Sequence, residues 1–304
     1  MMKIMVPLSS FEDIDKFSEA GADEFYFGFY DDEWTKKYGD FEEINRMSSF
    51  GSAANFSISD CEDVIRKVHS KGKKAFVTLN SAMYSSGQIE WLLKKIDEYR
   101  LYNADGIISG SISMVLKLKK YDIPVTVSTM GGLYNSDIIE FYRKLNIKRV
   151  ILPRDMKISD MELIIKKYPD MEFEVFLMRN GCKYSDSNCM SYHSRRFGSM
   201  CSCIDRQNGI FELCPNLSVS DKKEIYANNF LFTRAFHKSA CGICSIEKFR
   251  NMEISSLKIV GRADSSFKLE YDIKLVKSII LKKSDEIQSL PYQNCLYGLN
   301  CYYH

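Results

Sequence analysis

Residues 57–80 read SISDCEDVIRKVHSKGKKAFVTLN, and this stretch decides the fold class because it contains one complete helix-then-strand unit. Val64, Ile65 and Val68 recur at the spacing of one helix face, which predicts an amphipathic helix. The apolar run AFVTLN follows at once and predicts a buried strand. Repeating such a unit along a chain builds a parallel sheet covered by helices.

The same alternation extends in both directions and predicts eight strands. The other seven candidates are KIMV from Lys3, Glu24–Gly28, Gly106–Ser109, Val125–Thr129, RVILP at 149–153, Phe173–Met178 and Ser256–Gly261. Each is followed by a helix, or by a loop and a helix. In the first of these helices, Ser10 is a candidate N-cap and Gly21 a candidate stop. Eight such units favour a closed (β/α)8 barrel, with a doubly wound open sheet as the alternative.

Cysteines are concentrated in the second half, where nine of the ten lie within the last 123 residues. We interpret residues 1–284 as a single α/β domain, a TIM-like (β/α)8 barrel with a long cysteine-rich, metal-binding insertion at 179–240 after strand 7. Residues 285–304 form a cysteine-containing C-terminal tail. Because active sites of such barrels lie at the C-terminal ends of the strands, the insertion is expected to cap the catalytic face.

Composition narrows the classes of partner. The 304 residues carry 42 basic and 40 acidic side chains, a net charge of +2, so no overall field attracts nucleic acid or anionic membrane. The N-terminal apolar run is too short for a signal peptide, and no run approaches the roughly 18 apolar residues of a membrane helix. We therefore expect a cytoplasmic protein without a membrane partner. In that compartment clustered cysteines stay reduced and favour metal over disulfides.

Two close cysteine spacings indicate the kind of metal. Cys201 and Cys203 are separated by one residue, and Cys241 and Cys244 by two. Neighbouring thiolates at such spacings converge on one metal centre, and they are soft ligands. The expected guests are therefore an iron–sulfur cluster or zinc.

Three cations at strand ends are candidate catalytic residues. Arg154 follows strand 6, while Lys258 and Arg262 belong to strand 8 and its end. A buried cation is costly without an anionic partner, so these residues could hold a carboxylate-bearing ligand. The alternative is an internal ion pair with Glu174 or Asp155.

Four polar residues follow strands 3 and 5, where a barrel presents substrate contacts. Asn80 follows strand 3, and Ser128, Thr129 and Asn135 lie at or after the end of strand 5. We list them as candidate substrate-binding residues. The alternative is loop capping and turn chemistry, which such side chains provide in most proteins.

Six motifs in order carry a resemblance to a known family. They are GADEFYFG from Gly21, the block at 55–80, VSTMGGLYN at 127–135, LPRDM at 152–156, MEFEVFLMRNGCKYSDSNCMS from Met171, and SLKIVGR ending at Arg262. With these motifs the chain resembles the collagenase-like peptidase family U32 through most of its length. The resemblance implies a barrel fold and, from the better characterised relatives, oxygen-independent hydroxylation of ubiquinone precursors, ribosomal RNA or transfer RNA.

The resemblance also implies a cofactor and its ligands. Several relatives hold a 4Fe–4S cluster on four cysteines, and prephenate is an implied oxygen donor. Carried over to this chain, the ligands are Cys182, Cys189, Cys201 and Cys244, with Cys203 and Cys241 as alternates. Some relatives act as pairs, so a second copy or a related subunit is an expected partner.

The remaining cysteines leave room for a second metal site. Cys214, Cys295 and Cys301 could contribute to it, with His237 as a candidate ligand. The alternative is that some of these residues are small buried hydrophobes, as free cysteines often are. Cys61 lies among apolar neighbours in a helix and is expected in the core.

These observations support three hypotheses. The preferred one is an iron–sulfur enzyme that modifies a small organic or RNA substrate without molecular oxygen, with Arg154, Lys258 and Arg262 holding an anionic group. A metal-dependent, collagenase-like peptidase is the second, although the sequence has no HExxH or GxSxG motif. A non-catalytic scaffold around a four-cysteine zinc site is the third.

Overall fold

The computed structural model describes residues 2–39, 42–81, 83–182, 184–189, 193–194, 198–199, 216, 218–221, 223–224, 236, 239–282 and 300–303. Within them eight parallel strands close into one barrel in sequential order. The strands are β1 Lys3–Pro7, β2 Glu24–Phe27, β3 Lys74–Thr78, β4 Gly106–Ser109, β5 Val125–Val127, β6 Arg149–Ile151, β7 Glu172–Met178 and β8 Ser256–Ile259. The predicted (β/α)8 barrel is confirmed, and the open-sheet alternative is wrong.

Helices follow or connect the strands on the outside of the barrel. They are α1 Glu12–Ala20, α2 Asp32–Tyr38, α3 Cys61–Ser70, α4 Ser86–Glu98, α5 Ile112–Lys120, α6 Ser136–Lys144, α7 Ile158–Lys167, α8 Ile246–Asn251 and α9 Ser266–Ile280. Across the described ranges, none of the helices is long and apolar enough to cross a membrane.

The first βα unit shows how local sequence sets the element ends. Gly21 ends α1 with a left-handed φ of 110°, which a residue without Cβ adopts freely, so the predicted stop is confirmed. Phe11, not Ser10, occupies the N-cap position of α1. Phe11 nevertheless has helical φ and ψ, and the Ser10 hydroxyl accepts a hydrogen bond from the backbone N–H of Glu12 at 3.3 Å. Ser10 therefore provides the predicted capping contact, and its hydroxyl also donates to the Glu12 carboxylate.

Pairing of the first and last strands closes the barrel. Met5 of β1 is in register with Glu24 of β2 on one side and with Lys258 of β8 on the other. Alternate residues of β8 point outward, and there Leu257 and Ile259 are fully buried. This alternation separates an apolar layer beneath the helices from a barrel interior that contains charged groups.

The lower part of the interior holds a charged network. Arg149 donates to both oxygens of Glu24, at 2.9 and 2.5 Å, and to Glu174 at 2.8 Å. Lys258 Nζ lies 2.8 Å from the second oxygen of Glu174, and Ser256 donates to Glu24 at 2.9 Å. Opposite charges are thus matched inside the barrel, as buried ions require.

An aromatic layer lies around and above this network. Lys258 Nζ sits 3.9 Å from the centre of the Tyr26 ring, and the Arg149 guanidinium lies 5.0 Å from the Phe76 ring. The Arg154 guanidinium lies over the Phe176 ring, 4.2 Å from its centre. Cations at these distances are stabilised by the negative faces of the rings. The layer forms the floor of the barrel mouth.

Residues 300–303 pack near the C-terminal end of β7. The backbone N–H of Cys241 donates to Asn300 at 2.7 Å, and that of Tyr302 donates to Cys241 at 3.0 Å. The hydroxyl of Tyr303 donates to the carbonyl of Phe176 at 2.5 Å. Residues 300–303 of the predicted tail therefore rest on the barrel close to its mouth.

Candidate active site at the barrel mouth

Arg262 lies just beyond β8, at the C-terminal end of the barrel, and only 5% of it is exposed. Its Nη1 atom donates to the side-chain oxygens of Asn45 at 2.7 Å, Asn55 at 3.1 Å and Thr78 at 3.4 Å. Each of these acceptors is neutral. The guanidinium is therefore held in place without neutralisation of its charge.

Backbone carbonyls orient the two amides around Arg262. Asn45 Nδ2 donates to the carbonyl of Phe29 at 2.9 Å, and Asn55 Nδ2 donates to that of Met47 at 2.6 Å. Because each amide nitrogen is used in this way, each amide oxygen faces the guanidinium. The acceptors are thus fixed before any ligand arrives.

Gly28 has no side chain, and the space that a side chain would fill is occupied by the Arg262 guanidinium. A Cβ atom at this position would lie 2.3 Å from Arg262 Nη1, 2.6 Å from Asn55 Oδ1 and 2.7 Å from Asn45 Nδ2. All three distances are far shorter than real side-chain contacts. The end of β2 therefore needs glycine here because of the neighbouring side chains.

Electrostatics mark Arg262 as a buried cation with a lowered pKa. Burial lowers its pKa to about 10, and nearby Arg46 acts in the same direction, whereas Tyr26 and Glu43 act to raise it. A pKa near 10 still leaves the group charged at neutral pH. A desolvated cation with neutral hydrogen-bond partners is suited to bind an anion.

Arg154, at the end of β6, has a different environment. Its Nε donates to Asp186 at 2.8 Å and its Nη1 to the carbonyl of Asn180 at 2.5 Å. Burial acts to lower the pKa of Arg154, but the charge and hydrogen bond of Asp186, together with the influence of Tyr302 and Cys182, outweigh burial and raise the pKa above its ordinary value. The ion-pair partner is thus Asp186, an acid of the cysteine-rich region, and not the Glu174 or Asp155 considered from sequence.

Lys258 lies below the mouth. Its ammonium group pairs with Glu174, which is one of the two ion pairs that the sequence left open. Burial lowers the pKa of Lys258, and the charge and hydrogen bond of Glu174 oppose that shift. Its charge is therefore already matched within the barrel network.

The four predicted polar residues have structural contacts. Asn80 accepts a hydrogen bond from the backbone of Arg46 at 3.2 Å. Ser128 accepts one from the backbone two residues later, and Thr129 is buried. Asn135 caps the start of α6 through two backbone N–H groups at 3.1 Å. Asn80 is the member of this set that reaches the residues around Arg262 and the cysteines.

Cys182 and residues 184–189, which we term the cysteine loop, dock onto the mouth. Tyr134, after β5, lies 2.6 Å from the Ser185 hydroxyl and donates to Asp155 at 2.7 Å. Burial and the Asp155 carboxylate raise the pKa of Tyr134 to about 12, so it stays a donor at neutral pH. Together with the ion pair between Arg154 and Asp186, these contacts tie the loop to the ends of β5 and β6.

Cys182 and Cys189 are neighbours within the cysteine loop. Burial raises the pKa of Cys182; the Arg154 charge opposes that rise, whereas charge on Asp186 or on Cys189 adds to it. A buried thiol with a raised pKa is a poor free nucleophile, whereas a metal ion can displace its proton. Within the described residues, no three His, Cys, Asp or Glu side chains converge as a metal site.

The other cysteines fall into two groups. Cys61 is buried in α3, Cys241 is buried beside Cys301 in adjacent extended segments, and Cys244 is half-buried in the turn before α8. The predicted candidates that lie outside the described residues are Cys201, Cys203, Cys214, Cys295 and His237.

Several site residues were missed from sequence. Gly28 ends a predicted strand, so its position was a usable signal. Asn45, Arg46 and Asn55 belong to a connection without periodicity, and they reach Arg262 or the cysteine loop only through tertiary contacts. In the sequence, Asp186 lies between the candidate ligands Cys182 and Cys189. The available signal was that this acid could pair with Arg154, the cation at the end of β6.

Solved structures with similar folds include a U32 peptidase, with a TM-score of 0.44, 12% identity and coverage of 59% of this chain and 69% of the other. A DAHP synthase from Thermotoga maritima has a TM-score of 0.47, 14% identity and coverage of 92% and 68%.

Sequence comparison gives relatives and a family. A protein named tRNA hydroxylation protein P from Helicobacter pylori (strain 26695) is 24% identical over 220 residues, 70% of this chain and 52% of the relative. Its namesake from Escherichia coli K12 is 22% identical over 145 residues, 46% and 32%. A collagenase from Porphyromonas gingivalis W83 is 25% identical over 162 residues, 53% and 35%.

The chain therefore spans between about a third and a half of the length of these relatives. The model of peptidase family U32 matches residues 9–291, which is nearly the whole chain. The chain belongs to peptidase family U32.

Proposed function

We propose that this chain modifies transfer RNA by a hydroxylation-type reaction at the barrel mouth. The observation that carries the proposal is Arg262, a buried cation with neutral partners at the face where such barrels place their active sites. Relatives from two bacteria are named tRNA hydroxylation protein P. Those names indicate the substrate class, and Arg262 indicates a binding site for an anion.

The cofactor in this proposal is a 4Fe–4S cluster on Cys182, Cys189, Cys201 and Cys244. The described donors fit such a group because the Arg46 guanidinium donates to the thiol of Cys189 at 3.2 Å, and the positive charge of Arg154 favours the thiolate of Cys182. Cations stabilise the negative charge that four thiolates bring to a cluster. When bound, the cluster would supply electron transfer that does not depend on oxygen.

The ligand of Arg262 in this proposal is a small carboxylic acid, with prephenate as the candidate oxygen donor. Hydrogen bonds from the described residues engage Nη1, so a carboxylate would use the opposite edge of the guanidinium fork. Asn45, Asn55 and Gly28 would hold that fork in a fixed orientation. Arg154 would serve the site indirectly, by fixing the cysteine loop.

The metal is tested by anaerobic purification followed by iron, sulfide and zinc analysis. We expect coloured protein with iron and sulfide, and loss of both in Cys182→Ala. Cys61→Ala should keep them, because Cys61 lies in α3 and hydrogen-bonds to the carbonyl of Ser57. Colourless, zinc-loaded protein would instead favour the zinc scaffold.

The activity is tested on transfer RNA from cells that lack the gene. Nucleoside mass spectrometry should show one nucleoside that gains the mass of an oxygen atom when the wild-type gene is restored. The gain should disappear with Cys182→Ala and persist with Arg66→Met, which changes an exposed residue of α3. Unmodified RNA in cells that produce iron-loaded wild-type protein would refute the proposed substrate.

Peptide hydrolysis is the competing function, because one relative is named collagenase. His69 forms a hydrogen bond with the acid Asp105, but this pair does not lie at the barrel mouth. Asp105 precedes β4 and therefore lies at the opposite end of the barrel. A gel assay with gelatin and the metal-loaded protein separates the two functions. Cleavage that Cys182→Ala abolishes would favour the peptidase.

A further inference from the structure

Arg46 reaches from the connection between α2 and α3 to the cysteine loop. Its Nη2 atom lies 3.2 Å from Sγ of Cys189, and its Nη1 atom lies 3.2 Å from Sδ of Met130. The backbone N–H of Arg46 donates to Asn80 Oδ1 at 3.2 Å. Two contacts of the guanidinium and one contact of the backbone therefore hold Arg46 beside the Cys189 thiol.

The neighbouring residue connects Arg46 with the anion site. Asn45 accepts the 2.7 Å hydrogen bond from Arg262, and the next residue in the chain donates to Cys189. The two guanidinium groups also interact, since Arg46 contributes to the lowered pKa of Arg262. Asn45 and Arg46 are thus adjacent residues, of which one contacts Arg262 at the end of β8 and the other contacts the cysteine loop.

A guanidinium N–H aimed at a cysteine sulfur has a defined effect on bound metal. It withdraws electron density from the sulfur and places a positive charge beside it, which stabilises the more negative, reduced state of a cluster. It also restricts the position of the side chain that carries the sulfur. An arginine in this place therefore changes both the geometry and the reduction potential of the metal centre.

We propose that Arg46 is a positioning residue for Cys189 that raises the reduction potential of the metal centre bound by the cysteine loop. This inference rests on the proposed iron–sulfur function. Arg46 acts through Cys189 and through the contact of its backbone with Asn80. Arg46 and Arg262 lie at the same barrel mouth and have different proposed roles: Arg46 acts on a metal ligand, whereas Arg262 binds the anion.

The test uses the full chain, purified without oxygen and loaded with iron and sulfide. The midpoint potential is measured by a redox titration followed by electron paramagnetic resonance. Arg46→Met should shift the potential to a more negative value, because it removes the charge and all N–H donors from Cys189. Arg46→Lys keeps the charge and should shift it less.

Arg66→Met is the matched control, because Arg66 pairs with Asp63 on the exposed face of α3. Its potential should equal that of the wild type. If Arg46→Met stays folded but loses iron while Arg46→Lys retains it, the positioning role is supported and the lysine variant reports the potential. Iron-loaded Arg46→Met with the wild-type potential overturns this inference alone, whereas wild-type protein that never binds iron overturns the proposed function and this inference together.

Discussion

At the residue scale, Arg262 is both buried and charged, and these two properties oppose each other. Burial removes the guanidinium from water, and the three described acceptors offer hydrogen bonds but no negative charge. A bound carboxylate would supply that charge. The cost of burying the cation is thus the reason we expect the proposed site to bind an anion tightly.

This balance predicts a separation of activity from stability in Arg262→Met. Loss of one charge-assisted hydrogen bond costs about 1.5–3 kcal/mol, which corresponds to a roughly 10- to 150-fold lower kcat/KM for RNA modification. The free energy of unfolding should change by less than about 2 kcal/mol, because the lost hydrogen bonds are offset by removal of a desolvated charge. Nucleoside kinetics and urea unfolding measure the two effects, and full activity in the variant would refute the anion site.

Gly28→Ala should reproduce the loss without removing a charged group. The added methyl group would lie within 2.7 Å of the three atoms that define the Arg262 site, so the guanidinium must move. We expect at least a roughly tenfold lower kcat/KM, since a displaced guanidinium loses a charge-assisted hydrogen bond. Gly87→Ala is the control, because a Cβ there meets nothing within 4 Å. Equal activities of the two variants would contradict the proposed role of Arg262.

At the scale of elements, docking of the cysteine loop depends on the buried pair of Asp186 and Arg154, which lie 2.8 Å apart. Asp186→Asn removes the negative charge and leaves the cation of Arg154 on the Phe176 ring. Breaking a buried pair in this way costs about 3–5 kcal/mol. We therefore expect weaker retention of iron and a lower melting temperature.

Iron content after gel filtration and thermal unfolding measure this effect. The control is Asp170→Asn, which breaks an exposed pair with Arg143 and should leave iron content unchanged because surface pairs contribute little. If Asp186→Asn retained iron as well as Asp170→Asn does, docking by Asp186 would be excluded.

The elements of the barrel could be predicted because each has a local signal. The eight strands are β-rich apolar runs separated by helical periodicity, and closure follows from their number. Arg262 and Arg154 could be found in the same way, as cations at strand ends. Asn45, Arg46 and Asn55 could not, because their partners lie far away in sequence and no period marks their positions. Contacts of the last residues with β7 depend on tertiary packing for the same reason.

At the scale of the whole molecule, the barrel has an ionic network at its base and, at its mouth, the buried cation Arg262, where we propose the anion site. Glu24 and Glu174 share Arg149, and Glu174 also binds Lys258. The charges at the base are matched, and the ionised carboxylate of Glu24 is one of the groups that stabilise the closed barrel. Arg262, whose described hydrogen-bond acceptors are neutral, lies at the opposite end of the barrel, near the cysteine loop. In the proposed function, stability and activity thus depend on different ends of the same barrel.

This separation predicts how Glu24→Gln responds to pH. Burial acts to raise the pKa of Glu24, but the hydrogen bond and charge of Arg149, with Ser256 and Lys3, lower it below the ordinary value of 4.5. A depressed pKa stabilises the fold above the unfolded-state value, and this contribution is lost as the pH falls through the lower folded-state value. At pH 7 we expect Glu24→Gln to lower the free energy of unfolding by about 3–5 kcal/mol, since Arg149 loses a charged partner.

The difference between wild type and Glu24→Gln should therefore shrink as the pH falls below 4.5, because only the wild type loses an ionised carboxylate there. Urea unfolding at several pH values measures it, with Glu270→Gln as a control on the exposed side of α9, where Glu270 pairs with Lys274 and Lys16. Lys274 and Lys16 also lower the pKa of Glu270, but exposed pairs contribute little, so the control should depart from the wild-type curve far less than Glu24→Gln does. A difference that stayed constant from pH 7 to pH 3 would show that Glu24 acts through packing and that its charge does not stabilise the barrel.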